Sequence, residues 1–322
     1  MPVRRLHKIQ LTEQIKAEAE KLGFFACGIS RAEALPEDAL RVEHWLEKGM
    51  QGQMQYLERN KEKRYDATLL VENARSIITV LMSYYPQKEL SEKSYYKIAK
   101  YAYGKDYHYV VKEKLRQLLQ FIEKETGQRS ARIFVDSAPV LDRAAARRAG
   151  LGFIGKNTTL IHRQGGSFFF IGHIILDIGL VYDDEITENF CGSCTRCIDA
   201  CPTGALQSFE LDARKCISYL TIEYRGETIP EMFRGRWNQW IFGCDICQDV
   251  CPWNRKAIPT TEPAFQPSES LMQMTKTDWE NLDKTTFKKQ FKNTALERTG
   301  YKRLLRNIRF LKEARKDETG ER

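Results

Sequence analysis

The stretch CGSCTRCIDACP, residues 191–202, places cysteines at 191, 194, 197 and 201 and a proline directly after the last. Such close spacing lets three thiolates wrap one iron–sulfur cube, while the proline turns the fourth towards a second cube. A second run, CDICQDVCP at 244–252, repeats that ending with cysteines at 244, 247 and 251. It lacks a first cysteine, because Phe242 and Gly243 occupy that place, and Cys216 is the spare cysteine nearby. Eight thiols then divide into two [4Fe-4S] sets. One is Cys191, Cys194, Cys197 and Cys251; the other is Cys201, Cys216, Cys244 and Cys247. Zinc is the competing reading, but it favours two separated C-x2-C knuckles, whereas both runs close on C-x3-C-P. Cys27, the ninth cysteine, lies in an apolar stretch and reads as a small buried hydrophobe.

The rest of the chain has a different texture. Its 322 residues suggest about two domains, and 42% hydrophobic with 29% charged residues is ordinary for a soluble protein. No apolar run approaches the roughly 20 residues of a membrane span, so no membrane partner is expected. Arg4 and Arg5 resemble the start of an export signal, but charged residues follow where an apolar stretch is needed. The expected location is cytoplasmic, where clustered cysteines point to metal or redox chemistry rather than disulfides.

Hydrophobic periodicity predicts helices over 8–22, about 37–48, about 51–60, 106–124 and 141–150. It predicts strands over 24–30, 76–84 and 131–136, and two more over 158–162 and 167–180 joined by a turn at Gly165 and Gly166. This alternation argues α/β or α+β for residues 1–185. Residues 186–258 form the cysteine module, and 259–322 read as a proline-bearing linker followed by a basic helical tail. GLGFIG at 150–155 matches a dinucleotide fingerprint, but in reversed structural order. Asp106-x-His108 begins like a cobalamin-ligating D-x-H-x-x-G motif, yet position 111 is valine.

The net charge of +8 is not evenly spread. Residues 284–316 hold twelve Lys and Arg against two Glu, which leaves the remaining chain at −2. Over 301–315, Leu304, Leu305, Ile308 and Leu311 make one helical stripe with basic residues around it. The bland reading is a solvated helix docked on the core. The functional one is a phosphate-binding face using Lys302, Arg303 and Arg306, with Arg143, Arg147 and Arg148 adding to it.

Five segments together carry a family resemblance. They are VDSAPVLDR (135–143), GFIGKNT (152–158), the first cysteine run, CISYLTIEYRG (216–226) and GCDICQDVCP (243–252). The chain resembles the epoxyqueuosine reductases over roughly residues 5–258. That resemblance implies an α+β protein with a nitroreductase-like α/β cobalamin-binding core over 1–185 and a ferredoxin-like two-cluster module over 186–258. It implies base-off cobalamin with no histidine below cobalt, an external electron donor, and a monomer. The implied reaction is reduction of epoxyqueuosine to queuosine at the wobble position of a tRNA anticodon, the last step of queuosine biosynthesis. The chain looks like a short form, without the family's C-terminal helical repeats. Tyr224 stands where many members have histidine.

Asp136 matches the family's proton donor. It ends an apolar strand, where burial should raise its pKa and keep it protonated; alternatively it caps the following helix. The resemblance places Arg64, Asp136, Lys156, Asn157, Ser218, Thr221 and Asp245 at the cobalamin. Two other functions compete: a cobalamin-dependent reductive dehalogenase, and a two-cluster electron carrier with no chemistry of its own.

Overall fold

The computed structural model describes residues 2–90 and 94–319. At its centre is a four-stranded antiparallel sheet with the strands in the order Ala26–Arg31, Ser76–Ser83, Phe169–Leu176, Ala131–Phe134. The antiparallel pairing decides between the two predicted classes in favour of α+β. Ser76–Ser83 is buried at every position, as a central strand covered on both faces must be.

The two faces follow the period of two. Ile78, Val80 and Met82 join a core with Ile15 and Ala19 of helix Pro2–Lys21 and with Val111, Leu115, Leu118 and Ile122 of helix Tyr107–Thr126. Leu81 faces the other way, onto Ala146 and Ala149 at the end of helix Asp142–Arg148. That helix end approaches the first strand so closely that a Cβ on Gly28 would lie 2.1 Å from the carbonyl oxygen of Ala149. Only glycine permits the contact.

Two expected elements differ. The helix expected near 51–60 is a single 3₁₀ turn, Gln55–Glu58, preceded by Gly49 and Gly52 with φ of 63° and 58°. Those left-handed residues break the helix before it starts. The strands expected at 158–162 and 167–180 do not pair with each other. Leu160–Ile161 pairs with Phe153–Ile154, and Phe169–Leu176 joins the main sheet. The turn closes through a His162–Gly166 bridge, and Ser167 N–H is then drawn away to Asn254 Oδ1 at 2.6 Å.

Residues 259–319 are neither linker nor tail. Thr260 N–H donates to the Tyr85 carbonyl at 2.7 Å, and Phe265 is buried in the first core. Five helices follow, Glu269–Gln273, Lys276–Glu280, Lys284–Gln290, Ala295–Thr299 and Tyr301–Thr319. Trp279, Phe287, Phe291, Leu304 and Ile308 from these helices make a second core with Tyr96, Ile98 and Phe242. The strand Lys97–Ile98 pairs in parallel with Trp240–Phe242, beside the second cysteine run. The predicted stripe is real at Leu304 and Ile308, but it faces a core built by the whole segment. No helix among the described residues is long and apolar enough to cross a membrane.

Candidate functional site: two thiol groups and an acidic cleft

The two cysteine runs fold alike. Each leads into one short helix, Arg196–Asp199 or Ile246–Asp249, and the two helices pack together. The thiols fall into two groups by their mutual influence. Burial pushes Cys197 up, and so do Cys191 and Cys251; burial pushes Cys251 up, and so do Cys191 and Cys194. In the other group burial and Cys201 push Cys216 up, while Cys244 and Cys247 are raised by burial and by Cys216; Cys247 also feels Cys197, so the two groups adjoin. Thiols that penalise each other's charge this way are near neighbours, and a bound cationic group would relieve them. Among the described residues no three His, Cys, Asp or Glu side chains converge on a single-ion site. Backbone N–H groups already aim at two of the sulfurs: Lys156 at Cys191, 3.5 Å, and Ala205 at Cys201, 3.3 Å.

Asp136 sits two residues past the strand Ala131–Phe134 with φ of 53°, a left-handed conformation uncommon for a non-glycine residue. It does not cap the next helix, which begins at Asp142 behind Leu141 with no side-chain cap bond. Instead its carboxylate, 52% exposed, accepts a short hydrogen bond from Tyr107 Oη and lies 3.5 Å from His108 Nε2. His108 Nδ1 is 2.7 Å from Asp106 Oδ1, and Asp106 also caps the helix by accepting His108 N–H. The Tyr107 ring stacks on Phe170 at 4.2 Å and 6°.

The electrostatics correct one expectation. Burial alone would raise Asp136, but the hydrogen bonds from His108 and Tyr107 and the charges of His108 and Arg298 hold it below its ordinary value. In the resting site Asp136 is therefore a carboxylate. Burial opposes charge on His108 too, yet its two carboxylate partners raise it to about 9. Asp136 stands out in the sequence at the end of an apolar strand, whereas no local pattern marks Tyr107 and His108 as its partners.

Beside this cleft opens a cavity of about 450 Å³ lined by Tyr56, Ile222, Glu223, Arg225, Arg298 and Arg303. Tyr56 and Arg298 both feel the charge of Asp136, which ties the cavity to the cleft. Aromatic rings connect the cleft to the second thiol group. Tyr101 lies 6.3 Å from Tyr107 and 5.9 Å from Phe242, two residues before Cys244.

The expected cofactor contacts divide in two. Asn157, Thr221 and Asp245 are 3%, 0% and 2% exposed, so protein encloses them. Thr221 Oγ1 accepts Gly243 N–H, Asp245 accepts the N–H of buried Lys100, and Asn157 Oδ1 accepts from Thr159 Oγ1. Lys156 Nζ is spent on the carbonyls of Gly192 and Cys194. Ser218 stays half-buried. Arg64 donates to the Tyr56 carbonyl, and its Nε is buried without a partner.

The residues expected to meet RNA differ in how far other partners already engage them. Arg306 is buried and donates to the carbonyls of Leu220, Tyr224 and Gly226. Arg303 is spent on the carbonyls of Thr299, Ile222 and Arg298. Arg147 pairs with Asp38 and Glu185, and Arg148 with Glu33. Arg143 donates to the Thr158 carbonyl but remains exposed, as does Lys302. Arg298, not singled out in the sequence, lies in the cavity and is held by Glu223 at 2.7 Å.

The family model for epoxyqueuosine reductase QueG matches residues 64–137, and that for a 4Fe-4S double cluster binding domain matches residues 190–254. An epoxyqueuosine reductase of Cellulophaga algicola is 52% identical over 302 residues, covering 94% of this chain and 98% of that protein. The crystal structure of an epoxyqueuosine reductase with an epoxyqueuosine-modified tRNA-Tyr stem loop superposes with a TM-score of 0.86 at 30% identity, over 96% of this chain and 83% of that one. A Bacillus subtilis epoxyqueuosine reductase, seen with its catalytic aspartate loop swung out of the active site, superposes with a TM-score of 0.85 at 30% identity, over 96% and 83%.

Proposed function

The chain belongs to the epoxyqueuosine reductase family, and from that membership we propose how its residues divide the work. The protein reduces epoxyqueuosine to queuosine at the wobble position of tRNA, the last step of queuosine biosynthesis. The conversion takes two electrons and two protons, breaks both carbon–oxygen bonds of the epoxide, forms an alkene and releases water.

The double-cluster domain takes two [4Fe-4S] clusters. We assign Cys191, Cys194, Cys197 and Cys251 to one and Cys201, Cys216, Cys244 and Cys247 to the other, in keeping with the two groups of interacting thiols. Cobalamin, when bound in the nitroreductase-like core, supplies low-potential electron transfer to the epoxide carbon. The chain fits such a group on one observation: Arg64 Nε is buried with no partner, on a side chain anchored to the cavity wall at Tyr56. Arg64 and Ser218 would hold it, with Asp136 on the substrate side.

The observation that carries the catalytic reading is the open Asp136 carboxylate 3.5 Å from His108 Nε2, an imidazole whose two carboxylate partners raise its pKa to about 9. An opening epoxide leaves an alkoxide, a stronger base than either group. Substrate that fills the cleft expels water and weakens the charged form of Asp136, drawing the proton across from His108 Nε2. Asp136 then hands it to the oxygen and, reloaded from solvent through His108, supplies the second proton with which that oxygen leaves as water, while Asp106 keeps the imidazole in place from the other side. Tyr107 donates to the same carboxylate oxygen, Asp136 Oδ2, and its ring stacks on Phe170.

Lys302 and Arg143, both exposed, would meet tRNA phosphates, and Arg225 and Arg298 of the cavity would meet the backbone near the displaced base. The test is reconstitution with iron, sulfide and cobalamin under anaerobic conditions, followed by nucleoside mass analysis of epoxyqueuosine-containing RNA. Full cofactor loading without conversion would sink the mechanism and favour a bare electron carrier.

A further inference from the structure

We infer that the outer face of the first thiol group is the docking surface for a small acidic one-electron carrier protein, and that it takes electrons at the end opposite the substrate. The inference rests on the cluster assignment above. Phe190 and Trp253 stand one and two residues from Cys191 and Cys251, ligands of the same cluster. Their rings are 6.4 Å apart, and both pack on Phe153. Each ring is covered by a cation whose residue is exposed: Arg163 lies 4.6 Å from the Phe190 centroid, and Lys256 lies 5.3 Å from that of Trp253. Cation–π contacts of this kind hold flexible charges over an apolar patch.

Three separate segments are brought together here. The turn bearing Arg163 is pinned to the segment bearing Lys256 through Ser167 and Asn254. Residues 162–167, 189–197 and 252–258 carry Arg163, Arg196, Arg255 and Lys256 and no Asp or Glu. Exposed Glu188 and Asp199 lie just outside them. Gly192, Ser193 and Thr195 of the cysteine loop are exposed too, so little protein covers the first cluster's side. The second thiol group is the deeper one and neighbours the Tyr101–Tyr107 contact that leads to Asp136. Electrons therefore have an outer entrance and an inner exit. A basic rim around a thin apolar patch favours a carrier with an acidic rim, captured quickly and released easily. Each turnover takes two one-electron deliveries, the carrier leaving oxidised each time, while the protons come from the His108–Asp136 side.

The test compares two reductants on the loaded enzyme, a purified acidic flavodoxin kept reduced and the small reductant dithionite. In Arg163→Glu with Lys256→Glu, the KM for flavodoxin should rise at least about tenfold. Dithionite-driven turnover, KM for RNA and an iron content of about eight should all stay as in the wild type. The wild-type flavodoxin reaction should also slow steeply with added salt. An unchanged flavodoxin KM overturns the inference. So does a rise in KM for RNA instead, which would make the patch an RNA surface. Equal iron in the two proteins separates failure of the docking face from failure of the cluster assignment.

Discussion

His108 Nε2 stands 3.5 Å from Asp136 Oδ2 while its Nδ1 stands 2.7 Å from Asp106 Oδ1. One imidazole is shared by two carboxylates, and only one of them reaches the open cleft. In the proposed mechanism this arrangement holds a proton beside Asp136 without keeping Asp136 itself permanently protonated.

Asp136→Asn should bind its cofactors and fold as the wild type, because the side chain is half exposed. Its turnover should fall by roughly 10²–10⁴-fold, the usual worth of a positioned acid. Iron content, the corrinoid spectrum and single-turnover conversion check this. Near wild-type conversion would remove Asp136 from the role.

The pH profile should carry the signature of His108. Its folded pKa is raised from 6.5 to about 9, so its stabilising contribution is complete below 6.5 and lost as pH rises through about 9. Turnover should decline over the same alkaline limb, as the stored proton leaves. In His108→Gln that limb should vanish from the kcat profile while a low, flat rate remains. Asp136 acts in the opposite direction. Its pKa is depressed, so its contribution is present above the ordinary carboxylate value and fades only as pH falls below it.

Cluster content should distinguish the nine cysteines. Cys27→Ser should retain about eight irons, since that thiol is half-buried against the first core and pushed up to about 12 by burial. Cys216→Ala should lose the inner cluster's signal and fall towards about four irons. Iron analysis with EPR of the reduced protein reads both.

Arg306→Ala should destabilise the fold and leave RNA affinity alone. It strands the carbonyls of Leu220, Tyr224 and Gly226, at a cost of roughly 1–3 kcal/mol, partly offset because the buried guanidinium is itself penalised. Lys302→Ala should do the reverse: a stability change within about 0.5 kcal/mol, but weaker RNA binding with a shallower salt dependence. Thermal melts and RNA titrations at two salt concentrations separate the two.

Much of this was legible from spacing. The cysteine runs, the buried strand Ser76–Ser83 and the helix Tyr107–Thr126 each announce themselves by local pattern. What spacing could not convey is which polar side chains turn inward. Thr221 and Asp245 lie beside cluster ligands in sequence, yet both are consumed by backbone N–H groups. Arg303 and Arg306 look like surface charges on a basic helix until the carbonyls of residues 220–226 take them up. The Asp136 environment depends on Tyr107 and His108 from a helix almost thirty residues earlier in the chain, a proximity no local motif encodes.

Asn307 donates to the carbonyls of Thr221 and Ile241, clasping the helix after Cys216 to the strand before Cys244. That clasp is made some fifty-six residues after the last cysteine. A ribosome that has just translated Cys251 has therefore delivered every thiol, but not the piece that braces half of them. Iron delivered at that moment would meet an unfinished pocket. A product cut short near residue 300 would keep all its cysteines and lose this clasp.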